Sequence, residues 1–367
     1  MIKYAALFTA IFCITTQAQQ NHHNLIIGTY TNTCQSDGMY AYDFDTETAD
    51  AQLKGSSKNI VNPSFLSFSA DKKFVYSTNE NGNDSQVSAF HFYSDSGNLQ
   101  FLNSKSSEGN DPCYVLNDDK NVLVANYSGG NITVFGKNED GTIGKHKQIV
   151  MHMVQSVGQD SLETSHMHML QFSSDKKYLL ASDLGKDYLY VYRYDPDAKS
   201  AVLDFSYFLR VNKGSGPRHF TFSPDGQLVY LLNELDGSLL VLSFINGELK
   251  LLQETTVVDK KFKGKTAAAD IHITADGKFL YATNRGDANT ISCFEIKKNG
   301  KLKFVQNTST LGKGPRNFTI DPTGNFLLIA HQYTNEVVIF SIDKTTGTLT
   351  DTGKRIALCS PVCLVFE

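Results

Sequence analysis

A unit of roughly 50 residues recurs along the chain, and this repeat restricts the possible folds more tightly than composition does. Its clearest copy spans residues 214–244, GSGPRHFTFSPDGQLVYLLNELDGSLLVLSF, which reads as three short strands separated by turns. Pro217-Arg218-His219 opens the first strand. Pro224-Asp225-Gly226 is a turn in which Pro presets φ and Gly is free to take φ > 0. Residues 228–232 form a second, apolar strand that ends at Asn233-Glu234, and Asp236-Gly237 turns the chain into a third. Alignment on Asn233 makes Asn79, Asn126, Asp183, Asn284 and His331 its equivalents, at successive spacings of 47, 57, 50, 51 and 47 residues. A period of this size with several strands per unit indicates a propeller rather than a helical solenoid. Each unit closes with a weaker, more polar fourth strand, as the outer edge of a blade requires.

The two ends of the chain supply the remaining unit. Residues 361–366 read as an orphan first strand, LIIGTY at 25–30 as an orphan second strand with Tyr30 at the Asn233-equivalent position, and residues 39–44 and Leu53 as the third and fourth. Joining them closes the ring and removes its free edges. The expected fold is therefore all-β: a seven-bladed β-propeller of four-stranded blades, closed by pairing of the N- and C-terminal strands, with residues 19–367 as a single domain.

Residues 1–18 have the features of a secretory signal peptide: Lys3, then an uncharged apolar run, then Thr16-Gln17-Ala18 as a small-residue cleavage site. The apolar run is too short to span a bilayer comfortably. Cys13 follows Ile11-Phe12 instead of the small residue that lipoprotein processing prefers, so a free exported protein, periplasmic or extracellular, is expected. With a net charge of −4 and no basic stripe, nucleic acid is not expected as a partner. The leader aside, five cysteines remain, an odd number without a CxxC motif. One bridge from Cys34 to either Cys359 or Cys363 suits an oxidising compartment. Nothing in the sequence sets the oligomeric state.

Antiparallel strands bring the start of each first strand and the end of each second strand to one rim. The first-strand positions carry Ser64, Cys113, His168, Arg218, Ala269 and Arg316; the positions after the second strands carry Glu80, Tyr127, Leu184, Glu234, Arg285 and Gln332. Pseudo-symmetry asks for similar residues around the ring. The polar ones instead concentrate in units three to six, where a ligand can sit.

The strings GPRHFTFSPDGQLVYLLNE, DIHITADGKFLYATNRG and GPRNFTIDPTGNFLLIAHQ resemble the seven-bladed propeller lactonase family, which includes propeller-type 6-phosphogluconolactonases and 3-carboxy-cis,cis-muconate cyclase. The resemblance runs from about Leu25 to the end. It implies a carboxylic ester hydrolase that opens a sugar-derived lactone at the mouth of the propeller channel, with His168, Arg218, Glu234 and Arg285 as the catalytic set. His166, His219, Asn233, Asn284, Arg316 and His331 are expected around them as substrate-binding residues.

The chemistry is reasonable on its own terms. Lactone opening needs a base for water, cationic groups where charge develops on the carbonyl oxygen, and an acid for the leaving oxygen. Glu234 serves as base if burial raises its pKa, and His168 is the competing base or acid. Arg218 and Arg285 suit a bidentate grip on a carboxylate or phosphate. No cofactor is implied. The absence of a GxSxG elbow disfavours a covalent serine mechanism, and Cys113 is the one thiol at the ring position.

Each assignment has a plainer rival. Arg218 and Glu234 can be an interblade ion pair; His166 and His168, two apart on a strand, share a face and can chelate a metal with His152, although no carboxylate or Cys completes a set. His219 and His331 can buttress the mouth, and His272 can be a hydrogen-bonding core residue. The alternative activities are a muconate-type cycloisomerase using the same arginines, or a non-catalytic propeller binding a carbohydrate or protein. As rim residues, Arg218 and Glu234 are expected to tolerate Ala within about 1–2 kcal/mol of stability while losing turnover.

Overall fold

The computed structural model describes residues 21–58, 60–152 and 164–367. The leader, residues 1–18, and residues 153–163 lie outside the described residues. Among those described, 28 strands form seven four-stranded sheets, all with antiparallel neighbours, and the only helix is one 3-10 turn, Gly82–Asp84. Six blades follow in chain order at 66–106, 112–151, 167–210, 217–256, 268–309 and 315–357, numbered 1 to 6 below. The seventh, the closing blade, pairs Pro361–Phe366 with His22–Thr29, which continues to Met39–Asp45 and Ala51–Ser57.

The apolar alternation that makes the strands also builds the ring. Seven clusters of buried side chains form, one between each pair of neighbouring blades. Leu25, Ile27 and Leu364 of the closing blade meet Leu328 and Ile339 of blade 6, while Ile26 and Met39 on the opposite face meet Leu66 and Val75 of blade 1. Inner strands are thus buried on both faces, and each such side chain contributes roughly 1.5–3 kcal/mol. A polar lock recurs on the outer side: Tyr76, Tyr230 and Tyr281 donate to the carbonyls of Gly141, Gly300 and Gly347 in the next blade, at 2.9, 3.0 and 2.7 Å. Those glycines have φ between +75° and +82°, and a Cβ on any of them collides with Phe74, Leu228 or Phe279.

Cys34 and Cys359 form a disulfide, Cα–Cα 6.0 Å, that ties the first loop of the closing blade to the segment before its C-terminal strand. Cys363 takes no part: it is buried and accepts the Leu66 amide.

One local feature decides where the functional side chains point. The first strands of blades 2, 3, 4 and 6 slip register by one residue at Cys113, His168, Arg218 and Arg316, and the C-terminal strand slips at Val362. In blade 5 the slip takes in Ala269 and Asp270. These β-bulges re-aim a side chain out of the sheet alternation. The register also corrects the closing blade: Pro361 pairs with Thr29, so Thr29 is the equivalent of Asn233, and Tyr30 falls one place on, beside Glu80, Tyr127, Glu234 and Arg285.

Candidate active site

The bulged residues converge on the axis. A cavity of about 10 Å³ is lined by Ser64, Cys113, His168, Arg218, Arg316 and Val362, with Phe65, His219 and Asn317 from the next position of their strands. Immediately below the rim the axis is plugged. Phe65 of blade 1 stacks on Tyr114 of blade 2 at 4.0 Å, and His219 of blade 4 meets both edge-on at 6.2 and 5.8 Å. The site is therefore a blind cup. A larger space of about 390 Å³ opens beside it, lined by Tyr30, Asn62, Glu80, Asp111 and Gln332, and this is large enough for a small ligand. Arg316 joins the two spaces, its guanidinium 5.5 Å from the centre of the Tyr30 ring, while the Tyr30 hydroxyl donates to Glu80 at 2.8 Å. A roomier cavity, about 600 Å³, lies along blade 1 beside Asn79, Ser88 and Phe101 and gathers no Arg or His, so size alone does not mark the site.

Two guanidiniums hold one carboxylate, and a third, Arg316, acts on it from beyond contact. Glu234 Oε2 lies 2.8 Å from Arg218 Nε and 3.0 Å from an Nη of Arg285 in the next blade. The Arg218 N–H does not point along that 2.8 Å line, so the contact is charge attraction rather than an aligned hydrogen bond. Arg218 Nη1 donates instead to the Ala269 carbonyl of blade 5, and Arg285 Nε donates to the Ala267 carbonyl at 3.2 Å. Burial alone would raise the Glu234 pKa, but Arg285, Arg218 and Arg316 outweigh it and hold the carboxyl below its usual range. Burial, reinforced by Arg285, brings Arg218 down to about 9, which leaves it charged at neutral pH. Arg316 makes no side-chain hydrogen bond or ion pair among the described residues. It is the guanidinium left for a ligand.

Both histidines of the cup are neutral. Burial first, then the nearby arginines, push His168 well below its ordinary value, and its Nδ1 is buried without a partner. His219 is lowered to about 4 by burial and Arg218, against the pull of Asp270. The two rings lie 5.1 Å apart, edge to face.

These contacts revise several sequence expectations. Glu234 is a poor candidate for the base, because its Oε2 is already taken up by Arg218 and Arg285. It does join blades, but as a clamp between Arg218 and Arg285. Arg218 is not a rim residue: it is 1% exposed and is the largest fully buried side chain. The structure brings His168, Arg218, His219 and Arg316 to the cup, with Glu234 and Arg285 above them. It does not bring Asn233, Asn284 or His331 there, because residues ending the second strands alternate back into the blades. Asn233 donates to Ser238, Asn284 accepts the Ala267 amide, and His331 is fully buried against Gly312.

His166 stacks on Tyr127 at 4.4 Å and bonds its carbonyl, so it stands behind that ring rather than in the cup. The bulge at His168 removes the shared face expected of His166 and His168, and His152 is taken up by the Tyr192 hydroxyl. Among the described residues no three His, Cys, Asp or Glu side chains cluster as a metal site. Cys113 donates to the Met167 and His168 carbonyls, and burial pushes its thiol up to about 12, which removes it as a nucleophile at neutral pH. Asp270 was not legible as a site residue: in AADIHIT it occupies what looks like an ordinary strand position. Tyr30 was hidden by the one-residue offset of the closing blade.

The geometry defines a propeller with a cationic cup and a neutral imidazole floor, and comparison with known proteins gives it a family. The family model described as "Lactonase, 7-bladed beta-propeller" matches residues 24–366, and the chain belongs to that family of ester hydrolases. It is 36% identical to a 6-phosphogluconolactonase of Formosa agariphila over 332 residues, covering 89% of this chain and 94% of that one. A 6-phosphogluconolactonase of Bacillus subtilis is 33% identical over 345 residues, with 93% and 97% covered. The solved periplasmic gluconolactonase of Pseudomonas aeruginosa superposes with a TM-score of 0.88 at 32% identity, covering 94% and 99%. No helix among the described residues is long and apolar enough to cross a membrane.

Proposed function

We propose that this protein is an exported lactonase that hydrolyses a sugar-derived lactone in the cationic cup. The observation that carries the reading is the convergence of Arg218, Arg285 and Arg316 on a cup whose histidines are neutral. Hydrolysis of a cyclic ester places negative charge on the carbonyl oxygen. Guanidiniums fixed before the substrate arrives stabilise that charge without reorganisation. Glu234 holds Arg218 and Arg285 in position, and Arg316 takes a polar or anionic substituent of the substrate. Proton transfer falls to an imidazole, which is unprotonated at neutral pH and can accept a proton from water. The 390 Å³ space beside the cup, lined by hydroxyl, amide and carboxylate groups, suits the hydroxyl-rich body of a sugar.

Export is supported by the features of residues 1–18 and by the Cys34–Cys359 bridge, since such bridges persist in oxidising compartments. The relatives named as 6-phosphogluconolactonases and as a periplasmic gluconolactonase agree with a sugar lactone as substrate. Assay of gluconolactone, its 6-phosphate and a muconate-type diacid side by side tests the reading. Acid release from a sugar lactone supports it; lactone formation from the diacid, with no sugar lactone opened, overturns it.

A further inference from the structure

We propose that His219, held by Asp270, is the base that activates the hydrolytic water, and that this water occupies the small cavity in the floor of the cup. The inference rests on the lactonase reading and assigns a role that the reading leaves open between two imidazoles.

His219 Nδ1 lies 2.8 Å from Asp270 Oδ1, which fixes Nδ1 as the protonated nitrogen and leaves Nε2 with the free lone pair. Nε2 is buried and has no protein partner, although His219 lines the cavity. A buried nitrogen without a partner calls for a ligand or a water, and about 10 Å³ is room for one water molecule. Asp270 is itself only 2% exposed and over-determined. It also accepts from Asn317 Nδ2 at 2.6 Å, His272 Nε2 at 3.1 Å, and the Ile271 and Phe318 amides at 3.0 and 3.1 Å. Those donors lock the carboxylate and thereby the imidazole. This is the base-and-orienter arrangement that hydrolases use to aim a histidine.

His168 lacks such support. The groups facing it are Arg218, Arg285, Arg316, His219 and Tyr127, and no carboxylate touches it. An imidazolium formed there is opposed by three guanidiniums. The groups facing His219 are Asp270, Arg218, His168, Tyr114 and Phe65, with His272 behind Asp270. An imidazolium formed on His219 has a carboxylate at hydrogen-bond distance, so it is the better proton acceptor of the two.

The step balances without a co-reactant. His219 Nε2 takes a proton from water as the water oxygen bonds to the lactone carbonyl carbon. The carbonyl electrons move to the oxygen beside the arginines. They return as the ring C–O bond breaks, and the leaving alkoxide receives the proton from Nε2. The product is the open hydroxy acid. His219 is a catalytic residue in this scheme and Asp270 a positioning residue.

The test uses the full chain with gluconolactone and its 6-phosphate as substrates. His219→Gln is expected to lower kcat about 10²- to 10⁴-fold with KM nearly unchanged. Added imidazoles are expected to restore turnover in His219→Gly in proportion to their basicity, and not in His168→Gly. Asp270→Asn is expected to lose kcat and the downfield proton resonance of the His219 Nδ1–H. If Asp270→Asn does not fold, His219→Gln decides alone. Wild-type turnover with kcat retained in His219→Gln, or rescue of His168→Gly instead, overturns the assignment and leaves the lactonase reading standing. A wild-type protein that shows the Nδ1–H resonance and opens neither lactone removes the lactonase reading, and this inference with it.

Discussion

Glu234 Oε2 sits between Arg218 Nε at 2.8 Å and an Nη of Arg285 at 3.0 Å, so one carboxylate oxygen holds two guanidiniums from adjacent blades. The carboxylate is a structural counter-charge and an aiming device at once. Glu234→Gln keeps the shape but leaves two neighbouring cations uncompensated. A stability loss of about 3–5 kcal/mol is expected, with a fall in kcat/KM. Urea unfolding and steady-state kinetics on the same preparation check both; unchanged stability contradicts the clamp. Arg218→Ala is expected to be as damaging to the fold, because it empties a buried position and frees the Ala269 carbonyl.

Arg316 offers the opposite case. It is paired with no carboxylate and donates no side-chain hydrogen bond among the described residues, so Arg316→Ala removes little from the folded state. A charge-assisted hydrogen bond to substrate is worth about 1.5–3 kcal/mol, so KM is expected to rise by roughly one to two orders of magnitude. Circular dichroism and substrate titration check this, and an unchanged KM removes Arg316 from substrate binding.

Buried neutral histidines make the fold acid-sensitive. His152, His219 and His331 are each lowered to about 4 by burial, from an ordinary value near 6.5. Between those pH values the unfolded chain binds protons that the folded one refuses, so stability is full above pH 6.5 and falls as pH drops toward 4. Each of the three contributes on the order of 3 kcal/mol of this loss. His272, raised by Asp270 against its burial, works the other way and contributes below its unfolded value. Urea midpoints from pH 7.5 to pH 4 measure the balance, and a flat profile contradicts it.

The Cys34–Cys359 bridge closes a sequence separation of 325 residues beside the seam where the two termini pair. Reduction, or Cys34→Ser with Cys359→Ser, is expected to cost about 2–4 kcal/mol. The loss concentrates at the closing blade, so amide exchange over residues 362–366 rises before exchange elsewhere. Equal exchange in oxidised and reduced protein contradicts a role for the bridge in closure.

The architecture was legible because its signals are local. Turns such as Pro224-Asp225-Gly226, where Asp225 accepts Ser223 and Gly226 has φ +71°, recur at fixed spacing and announce the blades. His168, Arg218, Glu234 and Arg285 could be placed near one another for the same reason. The remainder was illegible because a bulge leaves no residue signature: one extra residue at Arg218 or Arg316 turns a side chain from the sheet face to the axis. The same single-residue uncertainty put Tyr30 where Thr29 belongs. Asn233, Asn284 and His331 stand in equivalent positions of the repeat. That equivalence marks them as packing and hydrogen-bonding residues of the blade, not of the cup.

The central claim is tested most directly by following acid release from gluconolactone and from its 6-phosphate with the wild-type chain and with Arg285→Gln. The account predicts saturable hydrolysis above the spontaneous rate for at least one lactone, and its collapse in the variant while the fold is retained. Rates equal to spontaneous hydrolysis for both lactones, or a fully active Arg285→Gln, contradict it.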